Sequence, residues 1–252
     1  MPMNFRHSEI LALARRDGAV KVDALAEALG VTVQTVRRDL ADLCDAGALT
    51  RVHGGAVLPS GTQNIGYHDR RMLNADAKEA IGHATAERIA SGASVFLDIG
   101  TTSEAVARAL MRHEGLMVVT NNLNAATILA GNPDAEILLT GGLVRRSDGG
   151  LVGEVTADFV RQFRVDVAVV AASALDASGD ALDYDFREVR VAQAMIAQAR
   201  RAILAADSSK FTRSAPVRIA GIAAFETFVT DAEPPDAFAS VAAAAGTEVA
   251  VI

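Results

Sequence analysis

The stretch DIGTTSEAV, residues 98–106, follows an apolar run and places a glycine and two threonines at the start of a predicted helix. Gly100 allows a tight turn, and Thr101 and Glu104 have the spacing of a capping box. The first turn of a helix has unpaired N–H groups and a partial positive charge, which favour an anion. The spacing therefore predicts a phosphate site, to which the hydroxyls of Thr101 and Thr102 could contribute, although an ordinary capped helix would use the same residues.

Small and polar residues follow other apolar runs of strand length. The runs predicted as strands are SVFLDIG, LMVVTNN, AEILLTGG, VDVAVVAAS, RAILAAD and ETFVTD. Helical patterns separate most of them, which is typical of a mainly parallel sheet covered by helices on both faces. Because ligands of such sheets bind at the carboxyl ends of the strands, we expect the polar residues there to converge. Beyond the first turn, those residues are Thr120, Asn121, Asn122, Gly141, Gly142, Asp207 and Lys210.

The first 58 residues have another pattern. Apolar spacing predicts helices over 7–16 and 22–30, the second closed by Gly30 in a left-handed cap, and residues 48–57 alternate around a double glycine as in a two-stranded wing. A third helix is expected to run from Thr32, as N-cap, to about Leu43. Its buried stripe would consist of Val33, Val36, Leu40 and Leu43.

Two short helices joined by a tight turn have the layout of a helix-turn-helix that enters the major groove of DNA. An arginine there can contact phosphate or read a guanine edge, and Gln34 can address adenine. The alternative is that Arg38 only pairs with Asp42 one turn further on, at the protein surface. The predicted DNA contacts are Thr32, Gln34, Thr35, Arg37 and Arg38 in the helix and Arg51 and His53 in the wing.

Composition divides the chain. The net charge is −7, yet residues 1–58 have equal numbers of basic and acidic residues. The whole excess of negative charge therefore lies in residues 59–252. The stretch LPSGTQN at 58–64 is typical of a linker. We therefore predict a winged helix-turn-helix domain over 1–58, a linker over 59–74 and an α/β domain over 75–252.

Other classes of protein are disfavoured. No run of roughly 20 apolar residues could span a membrane, and the charged N-terminus is unlike a signal peptide, so we expect a cytoplasmic protein. One cysteine, Cys44, cannot form an intrachain disulfide and is expected to pack in a helix. The five histidines show no metal-ligand spacing, and neither a metal nor a cofactor is predicted.

The stretch VTVQTVRRDLADLCDAGALTRVHGGAV, at 31–57, resembles the signature of the DeoR family of bacterial transcriptional regulators. K-x-x-I at 78–81, LVGE at 151–154 and DSSKF at 207–211 stand in family order with the strand ends above, so the resemblance covers essentially the whole chain. It implies a winged helix-turn-helix and a sugar-phosphate sensor domain whose fold is shared with ribose-5-phosphate isomerase and coenzyme A transferases. The implied function is that of a repressor, not an enzyme, which a phosphorylated effector releases from double-stranded operator DNA.

The resemblance also implies which residues bind the effector. Longer stretches, such as 147–166 and 183–190, are similar to family members that respond to glycerol 3-phosphate, which is therefore the expected effector. Its hydroxyls need amide or carboxylate partners. Ala171 and Ala174 stand where the family often has glycine and could narrow the pocket, so another sugar phosphate stays open. The predicted effector contacts are Gly100, Thr101, Thr102, Thr120, Asn121, Asn122, Gly141, Gly142, Asp183 and Lys210.

Two other functions, those of an enzyme and of an architectural DNA-binding protein, are disfavoured. A phosphosugar isomerase with the same fold could use Asp207 or Glu188 as its base, but it would not need a DNA-binding module. A purely architectural DNA-binding protein would usually be basic, and this chain is acidic. Because one short module makes few base contacts, we expect a homodimer or homotetramer on repeated half-sites.

Overall fold

The computed structural model describes residues 5–17, 19–45, 48–52, 54–57 and 66–252. They form two compact units, one before residue 64 and one from there to the C-terminus. Within these ranges no helix is both long and apolar enough to cross a membrane. Part of the predicted linker over 59–74 lies outside the described residues, and its second half includes a short helix at Tyr67–Met72.

The described part of the N-terminal unit consists of three helices and a small antiparallel sheet. The three predicted helices and the predicted wing are confirmed, and Gly30 has a φ of +63° just beyond the second helix. A further strand, which was not predicted, adds to the wing and gives the order β1-β3-β2. The elements are α1 (Phe5–Asp17), β1 (Ala19–Lys21), α2 (Val22–Ala28), α3 (Val33–Asp45), β2 (Thr50–Val52) and β3 (Gly55–Val57).

Helix α3 is held by a cap and by a buried ion pair. The N–H of Thr35 donates to Oγ1 of Thr32 at 3.2 Å, which confirms the predicted cap. Val36, Leu40 and Leu43 are buried as expected, whereas Val33 is only half-buried. Asp39, which the helical pattern did not place inside, is 4% exposed.

The reason for the burial of Asp39 is a partner on α1. Its carboxylate accepts hydrogen bonds from Nε and Nη2 of Arg6 at 2.9 and 3.3 Å. The Arg6 guanidinium holds the pKa of Asp39 below its ordinary value. The acidic residue that follows the paired arginines thus fixes α3 to α1.

The C-terminal unit is built on a seven-stranded sheet whose pairings are all parallel, in the order β15-β14-β12-β9-β4-β5-β6. All six predicted strands belong to it, and the seventh, β15, was not predicted. The strands are β4 (Ser94–Leu97), β5 (Met117–Thr120), β6 (Glu136–Leu139), β9 (Val165–Val170), β12 (Ala199–Ala205), β14 (Thr227–Thr230) and β15 (Glu248–Val251). The helices are α4 (Tyr67–Met72), α5 (Ala75–Ala86), α6 (Thr101–Leu110), α7 (Leu123–Leu129), α8 (Glu154–Val160), α9 (Phe186–Ala197) and α10 (Asp236–Ala245).

Smaller elements lie between the parallel strands. None was predicted, because each strand has only two to five residues and so leaves little apolar pattern. They are the hairpin of β7 (Leu143–Val144) and β8 (Leu151–Val152), the antiparallel sheet of β10 (Ala174–Leu175), β11 (Asp180–Asp183) and β13 (Val217–Gly221), and the 3₁₀ turns Ser208–Thr212 and Ile222–Ala224.

Both faces of the large sheet are buried, as expected for parallel strands between helices. Along β9, Ala168 and Val170 pack in one apolar cluster and Val167 and Val169 in another on the opposite face. The register pairs Leu97 with both Thr120 and Val169. The carboxyl ends of β4, β5 and β9 therefore lie side by side, and their polar residues share one edge of the sheet.

Candidate effector site and DNA interface

The turn after β4 has the unpaired donors that an anion site needs. Gly100 is the N-cap of α6 with a φ of +133°, and the first bond within the helix runs from the N–H of Glu104 to its carbonyl at 3.0 Å. The N–H groups of Thr101, Thr102 and Ser103 therefore have no partner inside the helix. They point toward the carboxyl end of β4.

The predicted capping box is wrong. The helix begins at Thr101, one residue earlier than a Thr101 cap requires, because Gly100 makes the turn, and no side chain caps it. The Glu104 carboxylate instead accepts from Oη of Tyr67 at 2.9 Å and from Nδ2 of Asn124 at 3.0 Å. Glu104 thus ties α6 to α4 and α7 rather than closing its own first turn.

One of the two unusual alanines lies at this turn. A Cβ added to Gly100 would be 3.3 Å from Cβ of Ala171, in a backbone conformation that favours glycine. The methyl group of Ala171 therefore packs against the turn, as expected. Ala174 is fully buried in β10, opposite Leu182, so it acts on the small sheet rather than on Gly100.

Asp98 and Asn121 follow neighbouring strands in register and present unpaired acceptors. Both are buried, and Oδ1 of each has no hydrogen-bond partner among the described residues. The other end of the Asn121 amide donates to the carbonyl of Leu151 at 3.3 Å. The Asp98 carboxyl group does interact with the Ile99 N–H and the Asn121 side chain, but the two unpartnered Oδ1 atoms suit the hydroxyl groups of a ligand.

Other predicted contacts in this loop are engaged within the protein. The hydroxyl of Thr120 donates to the carbonyl of Leu97 at 2.6 Å and accepts from the N–H of Asn122. Oδ1 of Asn122 accepts from the N–H groups of Asn124 and Ala125 and so caps α7. Only Nδ2 of Asn122 is buried and unpartnered among the described residues. Thr120 therefore positions the loop, and Asn122 has one donor left for a ligand.

Gly141 and Gly142 allow the chain to approach α8 closely. Gly142 has a φ of +132°, and a Cβ on it would be 2.1 Å from Oγ1 of Thr156. That hydroxyl donates to the carbonyl of Gly141 at 2.8 Å. Packing against Thr156, which sequence analysis missed, thus requires a glycine at position 142, whereas a Cβ on Gly141 would lie 3.8 Å from Cγ1 of Val155, an ordinary contact distance.

Asp183 joins Asp98 and Glu188 in what we call the carboxylate cluster, and all three are buried. Burial raises the pKa of Asp98 to about 7, and the charge of Asp183 acts in the same direction. Burial and Asp183 also raise the pKa of Glu188 well above its ordinary value. Asp98 and Glu188 therefore retain protons at pH values at which exposed carboxyl groups release them.

Arg145, which the sequence analysis did not select, holds the carboxylate cluster to the β7–β8 hairpin. Its Nη2 lies 2.6 Å from Oε2 of Glu188, and its Nε and Nη2 donate to Asp148 at 2.8 and 2.6 Å. Its Nη1 donates to Asp185 at 3.2 Å. These carboxylates raise the pKa of Arg145 despite its burial. Nothing in the local sequence pairs residue 145 with residues 185 and 188, so the contact was not predictable.

Lys210 is buried beside Asp207, with Nζ 3.9 Å from Oδ2. Burial lowers the pKa of Lys210 to about 7. Burial alone would raise the pKa of Asp207, but the Lys210 charge and a hydrogen bond from the Ser209 hydroxyl lower it to about 2. A carboxylate so strongly stabilised is a poor general base, which disfavours Asp207 as the base of the isomerase alternative.

The outer surface of α3 presents the basic side chains that were predicted to contact DNA. Gln34, Arg37 and Arg38 are exposed, and neither arginine forms an ion pair in the described part of the chain, so the predicted alternative of an Arg38–Asp42 pair is wrong. Thr35 is half-buried and bonded to Thr32. Arg51 is exposed on β2, and His53 lies outside the described residues.

The single cysteine lies in the N-terminal unit. Cys44 is free, half-buried and packed against the N-terminal core. Among the residues that the structure describes, no group of three or more His, Cys, Asp or Glu side chains could hold a metal ion.

Comparisons with known proteins agree with both units. Residues 6–62 match the DeoR-like helix-turn-helix domain and residues 73–232 the DeoR C-terminal sensor domain. The chain is 43% identical over 235 residues to the glycerol-3-phosphate regulon repressor of Escherichia coli K12, which covers 93% of both chains. It is 39% identical to the HTH-type transcriptional repressor CsqR of the same strain, over 94% of this chain and 91% of that one.

A solved ribose 5-phosphate isomerase of Methanocaldococcus jannaschii aligns with 55% of each chain at a TM-score of 0.41 and 12% identity. The curated relatives are transcriptional repressors and not enzymes. Together with the helix-turn-helix and the parallel sheet, the two domain matches show that the chain belongs to the DeoR family of helix-turn-helix transcriptional regulators.

Proposed function

We propose that this chain is a cytoplasmic repressor of genes for glycerol 3-phosphate metabolism and that glycerol 3-phosphate releases it from its operator. The observation that carries the ligand assignment is the pair of unpartnered acceptors on Asp98 and Asn121 beside the free N–H groups of α6. Backbone donors at a helix start bind phosphate oxygens, and buried acceptors bind hydroxyl groups. Glycerol 3-phosphate has a phosphate group and two hydroxyl groups on a chain of three carbons.

The relatives support the same assignment. The glycerol-3-phosphate regulon repressor of Escherichia coli K12 is 43% identical to this chain over nearly its whole length. A different sugar phosphate is the second candidate, because Ala171 packs against the α6 turn and CsqR is almost as similar. The choice between them rests on the size of the ligand that the turn admits.

Calorimetry of the full chain tests the effector. We expect heat with glycerol 3-phosphate and much weaker binding of fructose 1-phosphate and ribose 5-phosphate, since the larger sugars would meet the Ala171 methyl group. Thr101→Ala with Thr102→Ala should weaken binding at least tenfold, or ~1.4 kcal/mol, by removing two hydroxyl donors. Thr127→Ala, on the exposed face of α7, is the matched control. Equal affinity in the double variant and the control, or no heat with glycerol 3-phosphate, contradicts the assignment.

Release from DNA follows if the two ligands oppose each other. A 100-fold loss of operator affinity at saturating effector corresponds to a coupling free energy of ~2.7 kcal/mol. A mobility-shift titration with and without glycerol 3-phosphate measures this ratio. If the operator affinity is unchanged while the effector still binds, the ligand assignment stands and the proposed release from DNA by the ligand is refuted.

A further inference from the structure

The hairpin of β7 and β8 has one buried strand and one exposed strand. Both residues of β8 are buried, whereas Leu143 and Val144 of β7 are both exposed. Successive residues of a strand point to opposite faces, so neither face of β7 is covered by the described residues. Within that part of the chain β7 pairs with β8 alone, which leaves its outer edge unpaired as well. β7 is therefore an apolar strand with three open sides.

Two more apolar side chains are exposed on the helices that pack against this hairpin. Both α8 and α9 contact β8 and each other. Val155 lies in the first turn of α8, and Phe186 is the first residue of α9. All four residues are between 47% and 66% exposed, so most of each apolar side chain meets water. We call them the apolar surface: Leu143, Val144, Val155 and Phe186.

Short contacts join the elements that carry the apolar surface. Cγ1 of Val155 is 3.8 Å from the position that a Cβ on Gly141 would occupy, two residues before β7. Nη1 of Arg145, directly after β7, donates to Asp185 at 3.2 Å and so holds the hairpin to the start of α9. Single exposed apolar residues are common, but apolar residues on adjoining elements mark surfaces where proteins bind one another.

The charges around the apolar surface are balanced. Nε of Arg190 lies 2.9 Å from Oε1 of Glu154, and Nη2 of Arg187 lies 2.9 Å from Oδ2 of Asp185. The domain as a whole is acidic, because residues 59–252 carry the entire net charge of −7. A net charge on two identical surfaces would make them repel each other, whereas paired charges of both signs do not. DNA or an anionic membrane would instead favour basic side chains without acidic partners.

We propose that the apolar surface is the site at which two copies of this chain bind each other about a two-fold axis. Antiparallel pairing of β7 with β7 of the second copy fits such an axis and covers the open edge of both strands. A stable interface takes about 800 Å² from each copy, so the apolar surface is its centre and the surrounding ion pairs its rim. The expected homodimer or homotetramer thereby acquires a location, which does not depend on the identity of the effector.

Sedimentation equilibrium of the full chain, without DNA or effector, tests the site. We expect reversible association that Val155→Glu with Phe186→Glu weakens at least tenfold. Both substitutions lie in the first turn of a helix, where a carboxylate is favourable, so circular dichroism should show an unchanged fold. Leu143→Glu should weaken association by itself and tests the hairpin separately. Val251→Glu, at an exposed apolar residue on the opposite edge of the large sheet, should associate as the unchanged chain does.

Hydrogen exchange locates the contact directly. The amides of Leu143 and Val144 should exchange more slowly in concentrated than in dilute unchanged chain, and at one rate in the folded double variant. A monomeric unchanged chain overturns the proposal, as does equal association of the folded double variant and Val251→Glu. Loss of association in Val251→Glu but not in the double variant also overturns it, because the copies then meet at β15. If the double variant does not fold, Leu143→Glu decides by the same comparison.

Discussion

The carboxyl group of Asp98 is buried within the carboxylate cluster, and burial raises its pKa from 3.8 to about 7. Between these two values the folded chain keeps a proton that the unfolded chain has released. The free energy of unfolding therefore falls as the pH rises through this window. The shift corresponds to up to about 4 kcal/mol at and above pH 7.

We expect Asp98→Asn to remove this dependence, because an amide has nearly the same shape and no charge to bury. The variant should match the unchanged chain near pH 4 and become the more stable of the two by pH 8. Urea unfolding at intervals across that range measures the difference, and Asp134→Asn, at an exposed position, is the control. Parallel stability curves for Asp98→Asn and the unchanged chain would falsify the assigned pKa.

At the scale of elements, the two faces of helix α3 have different roles: the inner face packs in the core, and the outer face carries the predicted DNA contacts. Val36, Asp39, Leu40 and Leu43 point inward, and Asp39 holds α1 through Arg6. Gln34, Arg37 and Arg38 face away from the core and form no ion pair in the described part of the chain. Substitutions on the outer face should therefore alter DNA binding without altering the fold.

Arg37→Ala with Arg38→Ala is expected to abolish specific operator binding. Loss of a base-reading arginine costs ~1–3 kcal/mol and relaxes specificity at one position, whereas loss of a phosphate contact weakens all sequences alike. Mobility-shift titrations against operator and unrelated DNA separate the two effects, with melting temperature as the check on folding. Arg112→Ala is the control for charge. If the double variant binds the operator as tightly as Arg112→Ala does, these two arginines of α3 do not recognise the operator.

The elements that sequence predicted are those with strong local patterns. Six strands of the large sheet and the three N-terminal helices follow from runs of apolar residues. β15 was missed because Glu248–Val251 is short and has one inward residue, Ala250, among its four. The β10–β11–β13 sheet was missed because β10 has only two residues and because β11 pairs with a strand that is distant in sequence, Asp183 lying opposite Val217. Tertiary pairing, not local propensity, forms these elements.

The candidate site was predictable to the same extent. The α6 turn and the loop after β5 lie at one sheet edge, as the strand order requires. Arg145 was not predicted because its importance comes from what surrounds it, which is three carboxylates. A sequence shows residue type but not burial, and burial makes this arginine informative.

At the scale of the whole molecule, charge limits how the chain can hold DNA. The net charge is −7, and the residues before 59 are balanced, so overall attraction to the phosphate backbone is weak. Binding must therefore come from the local surface of α3 and the wing, multiplied by repetition. Several modules joined in one oligomer would bind repeated half-sites with far higher affinity than a single module.

We expect the chain to bind as a homodimer or homotetramer to half-sites spaced by ~10 base pairs or a multiple of it, since helix-turn-helix modules then lie on one face of the duplex. Inserting ~5 base pairs between the half-sites should cause a large loss of affinity by turning one of them to the opposite face, and inserting ~10 should restore much of it. Footprinting with sedimentation measurements tests both spacing and stoichiometry. A monomer that protects one half-site, with an affinity insensitive to both insertions, would show that repetition contributes nothing and that α3 and the wing supply the whole of the binding free energy.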